Sequence, residues 1–172
     1  MAAWIGISNS WRGMLSLSFS AIRRARQFVN IAVEGLFLRR PISVCDFTDD
    51  TLTLIYKVVG EGTARMAMMQ AGERLDILTG LGNGFDADRT ISKALLVGGG
   101  VGVPPLYRLT KDLVARGKEV TAVRGFIRAD EIFYADEFAA AGARVIIATA
   151  DGSVGTKGFV TDAIRENGVV FD

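Results

Sequence analysis

Two patterns of apolar and polar residues divide the chain near its middle. Up to about residue 86, short apolar runs rich in β-branched and aromatic residues alternate with turns, as is typical of strands. Strands are predicted at residues 27–33, 41–46, 52–59 and 75–78, and a short helix at residues 63–70. Closely spaced strands without long helices predict a small β barrel.

From residue 93 onward, apolar strands alternate with amphipathic helices. Strands are predicted at residues 94–97, 119–123 and 144–148, and helices at residues 104–116, 129–141 and 159–166. Continuously apolar strands that alternate with helices predict βαβ units and a parallel, Rossmann-like α/β sheet. We place the domain boundary in the polar stretch before residue 91, which gives domains at 27–90 and 91–172.

Both ends of the chain depart from these patterns. Residues 1–26 hold four arginines and no acidic residue, a composition found in transit peptides, but alternation at residues 15–21 favours a strand. Residues 169–172 are apolar enough to begin another strand. A Rossmann-like sheet needs such a strand beside residues 94–97, so we expect the chain to be truncated at its C-terminus and its last domain to be incomplete.

Composition excludes several kinds of chemistry. The 172 residues include no histidine and one cysteine, Cys45, which excludes imidazole catalysis, an internal disulfide and a self-contained iron–sulfur cluster. The net charge of +1 gives no reason to expect nucleic acid as a partner. No apolar run approaches the roughly 18 residues of a membrane span. We therefore predict neither catalytic side chains nor metal ligands, and neither nucleic-acid nor membrane partners.

Two motifs in the first half point to a phosphate-bearing ligand. Pro41 presets an extended chain with the guanidinium of Arg40 at one end and the hydroxyl of Ser43 at the other, although an ordinary strand start would look the same. Gly60-Glu61-Gly62-Thr63 follows a strand and opens a helix, where backbone N–H groups attract anions, although a simple turn is the alternative.

Two further motifs follow strands of the second half. Residues 98–106 read GGGVGVPPL between a strand and a helix, the context of a dinucleotide-binding turn, although Val103 stands where the third glycine is usual. Asp151 and Gly152 follow the third strand, at the rim where open α/β sheets bind ligands. Arg124 and Arg128 follow the second strand and could accept a 2′-phosphate, which leaves the choice between NAD and NADP open.

Taken together, these motifs resemble those of the ferredoxin reductase-like flavoproteins, and most of all the electron-transfer subunit of class 1B, NAD-linked dihydroorotate dehydrogenase. The likeness covers residues 27–172. It is carried by these segments in this order: Arg40-Pro41-Ile42-Ser43, Val58 to Thr63, Gly82-Asn83-Gly84-Phe85, Gly98 to Leu106, Asp130 to Tyr134, Asp151-Gly152-Ser153 and Lys157 to Asp162.

The resemblance implies an FAD-binding barrel followed by an NAD-binding domain, with the redox chemistry supplied by the flavin. The implied FAD contacts are Arg40, Pro41, Ile42, Ser43, Ile55, Tyr56, Lys57, Gly62 and Thr63. The implied NAD contacts are Gly98, Gly99, Gly100, Gly102, Asp151 and Gly152.

The resemblance also implies a cytoplasmic heterotetramer with an FMN-containing catalytic subunit, and a role in pyrimidine biosynthesis. Members of the family carry a [2Fe–2S] cluster, but the cysteines that would hold it are absent from this sequence. Ile127-Arg128 replaces the usual Arg-Ser, and residues 1–26 do not match the expected first strands. Two alternatives stay open: the flavin subunit of a ferredoxin:NADP or sulfide-type oxidoreductase, and an inactive truncated fragment.

Overall fold

The computed structural model describes residues 27–49, 51–70 and 72–172, and the backbone of residues 3–6 and 13–17. These residues form two compact units that divide between Phe85 and Asp86. The first unit contains an antiparallel sheet of six strands and the second a parallel sheet of four strands. The predicted fold class, a barrel-like sheet followed by a Rossmann-like sheet, is confirmed.

The first unit is built from strands with one short helix. Its sheet has the order β1-β2-β5-β4-β3-β6. The elements are β1 (Ala3–Gly6), β2 (Gly13–Leu17), β3 (Phe28–Ile31), β4 (Arg40–Phe47), β5 (Leu52–Tyr56), α1 (Glu61–Met68) and β6 (Ile77–Leu81). The helix and the first three predicted strands overlap observed elements, whereas the strand predicted at 75–78 begins at Ile77 and runs further.

Alternating side chains of these strands form the core of the first unit. Val29 and Ile31 of β3 are buried, as are Leu52, Leu54 and Tyr56 of β5, and Met66 of α1 packs against this cluster. The period of two follows from the pleat, which points successive side chains to opposite faces of a sheet. One face of β5, which includes Tyr56, therefore packs into the core.

The second unit is a three-layered α/β unit. Its parallel sheet has the order β10-β9-β8-β7. The elements are β7 (Lys93–Gly99), α2 (Pro104–Ala115), β8 (Glu119–Phe126), α3 (Ala135–Ala140), β9 (Arg144–Thr149), β10 (Thr156–Lys157) and α4 (Val160–Glu166). Across the described residues, no helix is long and apolar enough to cross a membrane.

The prediction of one helix at residues 129–141 is wrong about where the helix begins. Residues Ala129–Glu131 form a single 3₁₀ turn, and the α-helix begins only at Ala135. The cause is the backbone of Tyr134, whose φ of 57° is left-handed and cannot continue a right-handed helix.

The ends of the chain also differ from expectation. Residues 169–172, predicted as the start of a strand, form none; the backbone N–H of Asp172 donates to the carbonyl of Lys93 at 3.1 Å. The Asp172 carboxylate accepts bonds from the backbone N–H groups of Ile91, Ser92 and Lys93. Strand β2 overlaps the strand predicted at 15–21 only at residues 15–17. Residues 18–26, and with them most of the transit-peptide hypothesis, lie outside the described residues.

The hydroxyl of Tyr56 is a polar group inside the first unit's core. The residue is 4% exposed, and its hydroxyl oxygen is buried with no hydrogen-bond partner among the described residues. Burial raises the pKa of Tyr56 from 10.0 to about 12. The unfolded chain therefore loses this proton at lower pH than the folded chain does.

We expect the free energy of unfolding to fall as pH rises from 10 to 12, by about 2–3 kcal/mol from this residue, because above pH 10 the unfolded state binds fewer protons. Tyr56→Phe should remove this loss and, at pH 8, leave the protein equally stable or about 1 kcal/mol more stable. Chemical denaturation at pH 8 and pH 11.5 measures both effects, with Tyr107→Phe as the control. A Tyr56→Phe variant that is destabilised at pH 8 would show that the hydroxyl has a partner.

Candidate functional site

The first candidate site lies where β4 begins and α1 begins. The side chain of Arg40 lies over Gly62, so closely that a Cβ on Gly62 would stand 1.9 Å from the Arg40 Nε. The Arg40 guanidinium also donates to the carbonyl of Leu38. Glycine at position 62 is thus what allows the guanidinium to lie against the first turn of α1. The structure brings together the two motifs that the sequence places about twenty residues apart.

The neighbouring arginine has a different role. Arg39 donates to the Asp76 carboxylate at 2.5 Å and to the Asp76 carbonyl at 3.1 Å, which ties the β3–β4 connection to the chain before β6. Of the two adjacent arginines, Arg39 therefore has a structural ion pair. Arg40 remains beside the N-terminal turn of α1.

The hydroxyl of Thr63 shapes the turn that precedes α1. It accepts hydrogen bonds from the backbone N–H groups of Val59 and Gly60, at 3.0 and 3.2 Å, and donates to the Gly60 carbonyl at 3.0 Å. The Thr63 side chain is therefore fully used within the turn. Any contact of this residue with a phosphate would come from its backbone N–H, as the first N–H groups of a helix have no partner inside it.

The other residues predicted to contact a flavin differ in how far their side chains are exposed to solvent. Pro41, Ser43 and Lys57 are exposed, and Ile42 and Ile55 are half-buried. Tyr56 points into the core instead, so that only its backbone is available at the surface of β5. The exposed set follows the alternation of β4, in which Pro41 and Ser43 share one face of the strand.

The second candidate site lies at the carboxyl end of β7. Gly98 is buried, and a Cβ there would stand 2.8 Å from Leu106 of α2 and 3.1 Å from the Gly102 carbonyl. Gly98 therefore permits close packing of the strand, the turn and the helix. Gly99 ends β7, and residues Gly100–Gly102 form a 3₁₀ turn that leads into α2. Pro104 and Pro105 open this helix, where their missing N–H groups cost little.

Asp151 and Gly152 lie after β9, at the same rim of the parallel sheet. The Asp151 carboxylate accepts bonds from the hydroxyl and backbone N–H of Ser153, at 2.6 and 2.9 Å, and the hydroxyl bond is the main cause of its lowered pKa. The Ser153 hydroxyl also accepts a bond from the Ala129 backbone N–H at 2.9 Å. Ser153 thus joins the loops after β8 and β9. It was not among the predicted contacts, although an Asp-x-Ser turn is a recognisable signal for this role.

Both sites leave space above exposed backbone. A Cβ on Gly60 or on Gly102 would meet no atom of the described residues within 4 Å, in contrast to Gly62 and Gly98. A phosphate can therefore approach the backbone N–H groups closely at either turn, as dinucleotide binding requires. The residues present fit FAD phosphates at the first site and a nicotinamide dinucleotide at the second.

Of the two arginines predicted as possible 2′-phosphate contacts, Arg124 of β8 cannot reach a ligand directly. Its side chain is completely buried and donates to the Phe133 carbonyl. The guanidinium carbon lies 4.9 Å from the ring centre of Phe138, 5.3 Å from that of Phe126 and 5.8 Å from that of Phe133. Arg128, in contrast, is exposed and pairs with Asp130 at 3.2 Å. Of the possible 2′-phosphate contacts, only Arg128 lies at the surface.

Comparisons with known proteins agree with this geometry. No family model matches the chain. The dihydroorotate dehydrogenase B (NAD⁺) electron transfer subunit of Geobacillus sp. strain WCH70 is 50% identical over 153 residues, which cover 85% of this chain and 59% of that protein. The subunit of the same name from Fusobacterium nucleatum is 47% identical over 161 residues, covering 87% of this chain and 62% of that protein. The chain is homologous to these electron transfer subunits. It spans about 60% of their length.

Solved structures place the fold among the ferredoxin reductase-like flavoproteins. An NADH-dependent reduced ferredoxin-NADP oxidoreductase matches with a TM-score of 0.83 and 29% identity, over 96% of this chain and 62% of that one. The FAD/NAD-binding domain of a Vibrio cholerae nitric oxide dioxygenase matches in fold alone, with a TM-score of 0.76 and 17% identity, over 91% of this chain and 78% of that one. The resemblance inferred from the motifs is confirmed.

The burial of Arg124 destabilises the fold. Burial lowers the pKa of Arg124 to about 10, against an opposing effect of Glu137, so the cation is less favourable in the folded state by about 3 kcal/mol. Two of its nitrogen atoms, Nε and one Nη, have no partner among the described residues. Each unpaired buried donor adds a further penalty of about 1–3 kcal/mol. The three contacts with aromatic rings, at roughly 1–2 kcal/mol each, offset only part of the combined cost of burying the cation and its unpaired donors.

We therefore expect Arg124→Leu to raise the free energy of unfolding at pH 7 by about 1–3 kcal/mol, because it removes an incompletely compensated buried charge and leaves an apolar side chain among aromatic rings. The gain should shrink as pH rises above about 10, because folded Arg124 then loses a proton that the unfolded chain keeps. Urea unfolding measures it. The matched control is Arg116→Leu, which removes an exposed partner of Asp88 and should change stability by less than about 1 kcal/mol. A strongly destabilised Arg124→Leu protein would contradict this account.

Proposed function

We propose that this chain forms the FAD- and NAD(H)-binding part of a dihydroorotate dehydrogenase B electron transfer subunit. The observation that carries the proposal is the identity of 50% over 153 residues with a protein of that name. The oxidoreductase alternative, a ferredoxin:NADP or sulfide-type subunit, has weaker support, since the NADH-dependent ferredoxin-NADP oxidoreductase is 29% identical.

In this proposal the first unit binds FAD. The Arg40 guanidinium and the N-terminal N–H groups of α1 neutralise the pyrophosphate, while the open backbone at Gly60 lets it approach. Pro41 and Ser43 present the exposed face of β4 to the flavin, with Ile55 and Lys57 beside it. The Ile42 side chain packs against the core from the opposite face of β4, so that only its backbone is available to the flavin. These residues would hold FAD, and the flavin would supply the redox chemistry, namely hydride acceptance from NADH and release of single electrons.

The second unit binds NAD(H) in the same proposal. The turn from Gly98 to Gly102 holds the pyrophosphate through its backbone N–H groups, since Pro104 and Pro105 give the start of α2 no N–H to donate. Asp151 and Gly152 line the neighbouring rim, where Ser153 fixes the direction of the carboxylate. A carboxylate held in this way can accept a hydrogen bond from a ribose hydroxyl, whereas a phosphate there would be repelled. The proposal accordingly favours NADH as the reductant.

The names of the relatives extend the proposal to a catalytic partner. We propose a cytoplasmic heterotetramer with an FMN-containing dihydroorotate dehydrogenase subunit that serves pyrimidine biosynthesis. A [2Fe–2S] cluster normally takes four cysteine ligands. This sequence has one cysteine, Cys45, which is completely buried on β4. The residues present do not fit a cluster, and we assign no electron-transfer step to one within this chain.

The first test is an absorbance spectrum of the purified chain after addition of FAD and desalting, followed by anaerobic titration with NADH. We expect flavin bands that persist through desalting and bleach with NADH. Retained flavin that does not bleach would contradict NADH binding by the second unit. A colourless protein would contradict FAD binding and favour the alternative of an inactive fragment.

Two glycine variants test the two sites separately. Gly60→Ala and Gly102→Ala each add a methyl group where the structure has open space, at backbone angles that alanine adopts, so folding should be unaffected. Where a phosphate binds, the same methyl group collides with it. We expect Gly60→Ala to weaken FAD binding at least tenfold with NAD⁺ binding unchanged, and Gly102→Ala to do the reverse.

Fluorescence titration with FAD and calorimetry with NAD⁺ measure the two affinities, and thermal unfolding verifies that both variants fold. If either variant binds both ligands as the unmodified chain does, the phosphate does not lie over that glycine. If either variant loses both ligands together, the two sites are not separate.

A further inference from the structure

The position of Arg124 relative to the turn at residues 98–103 has a functional consequence. In the parallel ladder, Arg124 of β8 is paired with Gly98 of β7. Residues paired in this way point to the same face of a sheet. A Cβ on Gly98 would point toward Leu106 of α2. The Arg124 side chain therefore lies on the α2 side of the sheet, beside the end of β7 where the turn begins.

The opposite face of the sheet is apolar. Val123 and Ala148 pack there with Ala163 of α4, and a Cβ on Gly125 would meet Val160 of α4. The charge of Arg124 is thus confined to the side of the sheet that carries the turn and the N-terminus of α2. Around it lie three aromatic rings and the Phe133 carbonyl, and Glu137, the carboxylate that partly offsets its charge, is exposed to solvent.

The turn itself supplies no positive side chain. Residues 98–105 are glycine, valine and proline only, so an anion bound there would meet backbone dipoles alone. A cation inside a protein acts over longer distances than one at the surface, because the interior screens it less than water and salt do. The cation that destabilises the second unit therefore lies where it would favour a dianionic ligand.

We propose that Arg124 is an electrostatic determinant of dinucleotide affinity: its buried cation strengthens the binding of a pyrophosphate at residues 98–103 without touching it. This inference rests on the proposed function, which assigns NAD(H) to that turn. The retained charge is then a compromise between stability and binding, of the kind that functional sites commonly show.

The test measures two properties of each protein: its affinity for ADP-ribose, which carries the pyrophosphate but no nicotinamide, and its thermal stability. We expect Arg124→Leu to bind ADP-ribose about tenfold more weakly, which corresponds to about 1.4 kcal/mol. The same variant should melt at a higher temperature than the unmodified chain. A residue with a merely structural role would lose stability and affinity together, so the opposite signs identify the electrostatic role.

Two control variants separate charge from the other contacts of Arg124. Arg124→Gln removes the charge but keeps a donor toward the Phe133 carbonyl, and it should bind as weakly as Arg124→Leu. Arg116→Leu removes the same charge at the other end of α2 and should change affinity less than about twofold, since an exposed charge is screened. The loss in Arg124→Leu should persist from about 0.05 to 0.5 M salt for the same reason.

Calorimetry of these four proteins decides between the outcomes. If the unmodified chain binds neither ADP-ribose nor NAD⁺, the proposed function fails. If it binds ADP-ribose and Arg124→Leu binds equally well, the proposed function stands and the role of Arg124 is overturned. Full affinity in Arg124→Gln would also overturn it, because the hydrogen bond to Phe133 and not the charge would then be responsible.

Discussion

Each candidate site depends on a glycine. Another group of the protein occupies the space that a side chain at that position would need. At Gly62 the space is taken by the Arg40 side chain, and at Gly98 by Leu106 and the Gly102 carbonyl. A larger residue would displace the Arg40 side chain from the start of α1 in the first unit, or would push β7 away from the following turn and α2 in the second. Because the positions of the following N–H groups are set by these contacts, the close approach at two glycines determines the shape of both turns.

In each unit a hydroxyl group fixes the backbone of a loop at the candidate site. Thr63 bonds the backbone of Val59 and Gly60, and Ser153 bonds Ala129 and Asp151. Neither hydroxyl is directed outward with its bonding capacity intact. Their role is to hold loops in one conformation, and a ligand at either site would depend on backbone N–H groups that are positioned before it arrives. Such preorganisation lowers the entropic cost of binding.

The sequence predicts most of the fold because its signals are local. Short apolar runs rich in β-branched and aromatic residues identify β3 and β5, and glycines after an apolar strand identify the turn that follows β7. The start of α3 was mispredicted because its cause is not local: Tyr134 adopts a left-handed conformation while its ring packs edge-on against Tyr107 of α2, with ring centres 5.2 Å apart. A composition that favours helix is overridden there by tertiary packing.

The same limit applies to the residues of the sites. The structure brings Arg40 next to Gly62. Tyr56 faces the core and its neighbour Lys57 is exposed, and in the sequence only the phase of the strand distinguishes the two. Arg124 is the harder case, because an arginine after an apolar strand is ordinarily exposed. Its burial depends on Phe126, Phe133 and Phe138, which come from a strand, a loop and a helix. Only the assembled unit brings these rings together.

The two units thus offer an anion two different environments. In the first, a guanidinium lies at the surface over the start of a helix, where it can bond a phosphate directly but is screened by water and salt. In the second, the turn has no basic side chain, and the nearest cation in the ladder is enclosed by rings on the neighbouring strand. A direct contact favours one ligand geometry, whereas a buried charge favours negative charge of any geometry. This difference suits a first site that retains its ligand and a second site whose ligand must enter and leave.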